Sequence, residues 1–364
     1  MSASVRSIVT AVLLIAWLHH PAVAGPVVGE GSSYDPDATA RASATPDSPW
    51  IDLAPAKVLA IREEAAPPRD HRKLASALTL AGLYAGFIGW TYLAWYRVPT
   101  HPFVAGGDGD WKIWSEDGWF GKQRYAGGAD KFGHAWATMG LARGGTELLN
   151  QWGGYSRLGS AIVGTALSEL LFLGVEIKDG FAYRFSYGDF AFNTLGAGLA
   201  FAQSISPRID ELVDFRVQYA PSRRYRDKFR NDGDVDVAED YSGQTYLLAF
   251  HLGGIHALRD ARWGGWARFV DLSFGFESRG YKPDPPYKPD PMDPLKQDYA
   301  KSQSTFIGLS FNAQGLFDYL LRGRSEPARK ILHGTFEVWS LPYTTLPVVG
   351  RTVTPVGDVP DDQN

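Results

Sequence analysis

Between Lys73 and Arg97 the chain runs for 23 residues without a charge, Leu74 to Tyr96 (LASALTLAGLYAGFIGWTYLAWY). About 20 apolar residues suffice to cross the hydrocarbon core of a bilayer, so such a segment must meet lipid or be buried on every face. Gly82 and Gly86 form a G-x-x-x-G pair that lets another helix come close. Trp90, Tyr92, Trp95 and Tyr96 gather towards one end, as an interfacial belt would. The length criterion favours membrane contact; a central helix of a globular bundle is the other reading.

The residues before this segment read as an export signal. Arg6 supplies a positive start, Ile8 to Leu18 an apolar run too short to span a bilayer, and Ala22-Val23-Ala24 a cleavage site ahead of Gly25. This assigns 1–24 to a signal peptide. Residues 25–70, rich in Gly, Pro, Ser, Asp and Ala, read as a disordered linker. A cleaved signal leaves that linker outside, whereas Arg72-Lys73 would normally face the cytoplasm. The conflict points to a helix packed in a bundle or in the outer membrane rather than a simple inner-membrane span.

Cysteine is absent, which excludes disulfides, thiolate zinc sites, cysteine nucleophiles and lipid attachment at cysteine. Lys+Arg number 36 against 40 Asp+Glu, a balance that argues against nucleic acid as the main partner. The 12 Trp suit an environment wet at one end and apolar at the other.

Three further helical stretches follow, about Asp130–Gln151, Ser156–Ile177 and Tyr187–Ser204, so 71–206 is expected to be a membrane-associated helical domain of about four helices. From Pro207 the pattern changes. After a charged stretch, Arg223 to Asp240, come strand-like segments: Val213–Ala220 before it, then Gln244–Gly253, Ala267–Glu277, Thr305–Asn312 and Thr335–Pro342. Short helices are expected at Leu316–Arg322 and Pro327–His333. Five strands are few for a transmembrane barrel, which in bacterial chains starts at about eight. The expected class is therefore α+β, a bundle of apolar helices and then a small antiparallel β-rich region (207–348), with 349–364 a disordered tail.

The polar residues that could carry chemistry lie close in sequence. Asp130 and His134 fall one turn apart, Glu176 and Asp179 share a face, and Ser186-Tyr187-Gly188-Asp189 opens a helix with Asn193 a turn further on. Glu169, seven residues before Glu176, could extend the same stripe. Carboxylates, histidine and asparagine inside apolar helices are costly when unpaired. Converging, they could hold a hard divalent cation, relay protons or run acid/base hydrolysis, with His134, Asp130, Glu176, Asp179 and Asp189 as the candidate catalytic set. Equally, Lys131, Glu169, Ser186 and Asn193 could complete a network that only fixes helix register, Ser186 capping the helix above Asp189. No H-E-x-x-H, G-x-S-x-G or phosphate-cradling loop is present, and Gly106 to Gly109 reads as a turn. His71, His101, His251, His256 and His333 are scattered and read as surface or strand residues.

The ordered motifs DKFGH (130–134), VEIKDGF (175–181) and FSYGDFAFNTLGA (185–197) resemble a bacterial family of periplasmic lipoproteins of unknown function, domain of unknown function 2279. Segments 241–250, 272–281, 304–311 and 340–348 look like its longer members. On that resemblance Asp130, Lys131, His134, Glu176, Asp179, Ser186, Asp189 and Asn193 form the family's polar signature. The family implies no reaction, and its lipidated cysteine has no counterpart here. A weaker resemblance runs to VanZ-like membrane proteins, which carry similar D-K-x-x-H, S-E and D-x-x-x-N-x-x-G patterns in successive helices.

Three functions stay open: an exported envelope protein with a structural or binding role, partnered by membrane lipid or another envelope protein; a membrane-associated hydrolase or transferase acting on a lipid or cell-wall intermediate; or an ion-binding or transport module. Sequence names neither a cofactor nor a metal. It leaves the choice between inner and outer membrane open.

Overall fold

The structure, a computed structural model, describes residues 70–96, 119–120, 125–182, 185–233, 236–281, 292, 301–350 and 354–356. The signal peptide, the linker up to residue 69, the turn at 106–109 and the chain end from 357 are expectations that lie outside the described residues.

Small residues decide how the helices meet. Helix α1 (Asp70–Thr91) runs on into a π-helical turn, Tyr92–Tyr96. Helix α2 (Ala129–Glu147) opens from a tight turn in which Gly127 and Gly128 adopt φ of +63° and +84°. A Cβ at Gly128 would also sit 2.5 Å from the Phe120 ring, so glycine is required twice over. Helices α3 (Arg157–Ala182) and α4 (Tyr187–Ile205) complete this half. At Gly164 on α3 a Cβ would stand 2.7 Å from the Ala142 carbonyl oxygen of α2. At Gly196 on α4 it would overlap the Ala135 carbonyl of α2. Two backbones thus touch α2 directly.

Helix α1 leans on this group through Leu80 at Gly145 and a ring contact of 5.9 Å between Phe87 and Phe172. Gly82 and Gly86, expected to seat another helix, have nothing within 4 Å of where a Cβ would be. Two stretches, His71–Trp95 and Arg157–Gly180, are long and apolar enough to cross a membrane, and only 22% and 33% of their apolar windows are buried. Their outward side chains include Leu74, Leu78 and Ile88 on α1 and Leu158, Ile162, Leu167 and Leu170 on α3.

After α5 (Pro207–Leu212) the chain builds a sheet from β1 (Val213–Tyr219), β2 (Gln244–His251), β3 (Val270–Arg279), β4 (Lys301–Phe311), β5 (Trp339–Ser340), β6 (Thr345–Val349) and β7 (Thr354–Val356). The strand order is β5-β1-β2-β3-β4-β6, with β7 also paired to β4. Between β1 and β2 lies α6 (Arg223–Asp232), α7 (His256–Arg259) follows β2, and α8 (Ala313–Leu321) and α9 (Glu326–Val338) separate β4 from β5. The fold is α+β, but its sheet is mixed rather than antiparallel throughout, because β5 runs parallel to β1.

The sheet curls. In a flat sheet β1 and β4 would stand about 14 Å apart, three spacings of about 4.8 Å. Yet Gln218 on β1 donates to the Leu341 carbonyl at 2.9 Å and to Thr345 Oγ1 of β6 at 2.9 Å, and Ser310 of β4 meets the same Thr345 hydroxyl at 2.8 Å. The turn from Ser340 to Thr345 therefore bridges the two edges and makes a barrel-like enclosure. One face of the sheet turns outward to α2, where Phe215, Tyr246 and Phe276 enclose Phe132. The opposite face is the inside.

The expected strand Thr335–Pro342 is a correction. Residues 335–338 finish α9, and only Trp339–Ser340 pair as strand. The β-branched and aromatic run TFEVW favours extension, but tertiary contacts override it: Glu337 is paired with Arg143 of α2, and the Trp136 indole donates to the Val338 carbonyl at 2.7 Å.

Replacing Gly196 with Ala should push α4 off α2 and destabilise the fold by roughly 1–3 kcal/mol, as overpacking of a close contact does. Denaturant unfolding of the purified variant reads this directly; an unchanged midpoint would refute the contact.

Candidate functional site

Because α2 touches both α3 and α4, the polar side chains near those contacts face one another. His134 comes from α2, Glu176 from α3, and Asp189 and Asn193 from α4. His134 Nδ1 lies 3.2 Å from Glu176 Oε1 and 3.2 Å from Asn193 Oδ1. Asn193 Nδ2 donates to Glu176 at 3.3 Å, and the Thr138 hydroxyl donates to Asn193 Oδ1 at 2.9 Å. Ser186 holds the start of α4 by accepting the Asp189 backbone N–H at 3.1 Å, and its own N–H donates to Glu176. Capping and site-building are thus done by one residue.

Lys131 is almost fully buried and bridges two acids, standing 3.3 Å from Asp130 Oδ2 and 3.3 Å from Asp189 Oδ1. Gly188 leaves the room it needs, since a Cβ there would lie 2.5 Å from Lys131 Cε. The outcome for Glu176 is different. Its side chain is 1% exposed, and its ion-pair partner among the described residues is His134, which carries charge only when protonated. A carboxylate removed from water demands a proton, an imidazolium or a metal ion beside it.

One oxygen each from Glu176 and Asp189 and one nitrogen of His134 lie within 4.8 Å of one another. Two ligands on an ion with bonds of about 2.1 Å stand about 3.0–3.4 Å apart, the spacing of the His134–Glu176 pair. Asp189, whose Oδ1 also meets Lys131, adds a third potential ligand, and a set of mixed oxygen and nitrogen character suits a hard or borderline divalent cation. Asn193 and Thr138 then orient the ligands from behind. His134 is the outermost of the three, its side chain 21% exposed and edge-on to Phe172.

The other sequence candidates separate. Asp130 reaches the set through Lys131, and Asp179 lies close enough to Glu176 to act on its charge. Glu169 takes another direction: its Oε1 accepts the Thr194 hydroxyl at 2.7 Å, on α4's outer side, so it does not join the set.

These helices carry the known likeness. Residues 116–204 match the family described as Predicted periplasmic lipoprotein (DUF2279). The match takes in α2, α3 and α4 up to Ser204, hence His134, Glu176, Asp189 and Asn193, and the resemblance seen in the motifs holds over that stretch. It stops before the sheet, leaving the segments 241–250, 272–281, 304–311 and 340–348 outside it. No curated protein and no solved structure matches the chain.

A second polar cluster escaped the sequence reading. His251, expected as a surface or strand residue, ends β2 inside the curled sheet, its Nε2 2.9 Å from Asp214 and its Nδ1 2.7 Å from Asp271. Arg216 bonds both acids, at 2.6 Å and 2.9 Å, and Asn312 donates to Asp271 at 2.8 Å. Burial opposes charge on His251, but Asp214 and Asp271 outweigh it and push the imidazole up to about 9. Burial likewise opposes ionisation of Asp214, yet Arg216 and His251 hold its carboxyl well below the usual range. Two cations and two anions form a closed plug. The sequence signal was weak, since only strand register brings 214, 251 and 271 together.

With its folded pKa raised, His251 contributes stability that is whole below about pH 6.5 and lost as pH rises through about 9. Thermal unfolding across that window should show a falling midpoint in the native chain and a flatter curve in His251→Gln. Parallel curves would contradict the assignment.

Proposed function

We propose that the protein is exported to the bacterial periplasm, is seated at a membrane through α1 and α3, and binds a divalent cation between α2, α3 and α4 in a structural or binding role. The observation that carries the cation is the convergence of His134, Glu176 and Asp189 from three helices around a carboxylate that has no permanent cationic partner among the described residues. Bound there, the ion would neutralise Glu176 and tie the three helices together. Membrane seating rests on the outward apolar rows of α1 and α3, since lipid is the solvent that makes such rows favourable. Periplasmic placement rests on the family description and on the signal-like start of the chain. With no cysteine to lipidate, the helices themselves are the means of attachment.

One feature favours a second reading, a hydrolase or transferase acting on a lipid or cell-wall intermediate. An ion with three protein ligands keeps positions for water and substrate, and those positions would lie on the side where His134 approaches the surface. In that case His134→Ala expressed in a deletion strain would fail to restore the wild-type phenotype while the protein stays at normal levels.

The cation is tested by metal analysis of the purified full chain after dialysis against Mn²⁺ or Zn²⁺. About one ion per chain is expected in the native protein and none in the Glu176→Gln, Asp189→Asn double variant. A native chain that dialyses metal-free overturns the reading. For the membrane, cell fractionation should leave the chain with the envelope after osmotic shock and release it with detergent; release by shock alone would contradict the seating.

A further inference from the structure

The closed end of the curled sheet holds the His251 plug; the other end is a cavity of about 710 Å³. None of its lining residues belongs to the His134 set. Along β1 the inward side chains pass from Asp214 and Arg216 in the plug to Gln218 in the cavity. Along β2 and β3 they end at Thr245 and Glu277. Phe306 of β4 lies over Gly275, where even a Cβ would collide with its ring, and forms the floor. Tyr343 stands at the lip, 89% exposed.

The charges around this cavity are lopsided. Among the described residues Arg223, Arg224, Arg226 and Arg279 line it, against Glu277 as the acidic lining residue. Glu277 is already committed, pairing with Arg279 at 2.6 Å, and Asp227 outside the lining offers Arg223 only a 3.8 Å contact. Arg224 is buried and donates to the Gly280 carbonyl at 3.1 Å, so its charge is fixed in place. Helix α6 also begins here, capped by Ser222, with Arg223 and Arg224 in its first turn, and the buried Asp240 carboxylate accepts the Ser222 N–H at 2.8 Å from behind. Asp240 offsets the start of the helix from inside, so the arginine side chains are what present positive charge to the cavity. A single carboxylate would be matched by one guanidinium. Several guanidinium groups converging on one cavity suit an anion of higher charge, and the planar arginine fork fits phosphate oxygens two at a time.

We propose that this cavity binds a phosphate-bearing ligand, its phosphate among Arg223, Arg224, Arg226 and Arg279 and its remainder against Phe306 and Tyr343. The same chemistry is offered by a soluble phosphate ester and by the headgroup of an anionic lipid, and the probes separate them.

The test is calorimetric titration of the full chain in nonionic detergent with inorganic pyrophosphate and, separately, with dihexanoyl phosphatidic acid. Arg223 and Arg226 are exposed, so the Arg223→Gln, Arg226→Gln double variant should keep the native circular dichroism and melting curve. Binding of either probe that weakens at least tenfold in the double variant supports the site. Tighter binding of the phosphatidate assigns it to a lipid headgroup, and tighter binding of pyrophosphate to a soluble phosphate. If neither probe titrates, or if native chain and variant bind alike, the proposal is wrong.

Discussion

The backbone contact of α2 with α3 and α4 sets everything else in the helical half. Gly164 and Gly196 allow peptide groups of neighbouring helices to touch, and at that separation the side chains a turn away cannot avoid one another. His134 and Asn193 are those side chains at the Gly196 contact, and Glu176, about three turns beyond Gly164 on α3, meets both. Larger residues at the two glycines would move the helices apart and leave Glu176 buried without its neighbours, a far costlier state than either helix alone could bear. Packing and polar site are therefore one constraint.

The same α2 links the two halves. Phe132 enters the aromatic group on the outer face of the sheet, while Arg143 reaches Glu337 of α9 and Asp210 of α5. The inner face of the sheet keeps charge beside apolar side chains, Asp214, Arg216, His251 and Asp271 sharing it with Leu247, Ala249 and Phe306. Its plug is neutral in sum, which makes burial tolerable, and the four cavity-lining arginines lie at the open end.

What the sequence made legible follows the same division. Asp130, Lys131, His134, Glu176, Asp189 and Asn193 stood out because ionisable groups in apolar helices need partners, and helical periodicity narrows where those partners can be. Glu169 passed the same periodicity test and yet faces Thr194, because a stripe seven residues long does not say which neighbour it meets. Asp214, His251 and Asp271 were hidden, since residues on three strands meet only through a register that no local pattern encodes. The arginines of α6 read only as part of a charged stretch, and it is the fold that sets them along the open end of the sheet. In α9, strand-favouring residues became helix because Arg143 and Trp136 hold that end.

A double-mutant cycle between His134 and Glu176 tests the shared site most directly. His134→Ala, Glu176→Ala and the pair would be unfolded by denaturant in detergent. A coupling of about 0.5–3 kcal/mol is expected if the two side chains hold one another, or a common ion, across α2 and α3. Strictly additive effects would mean that the helices do not bring these groups together.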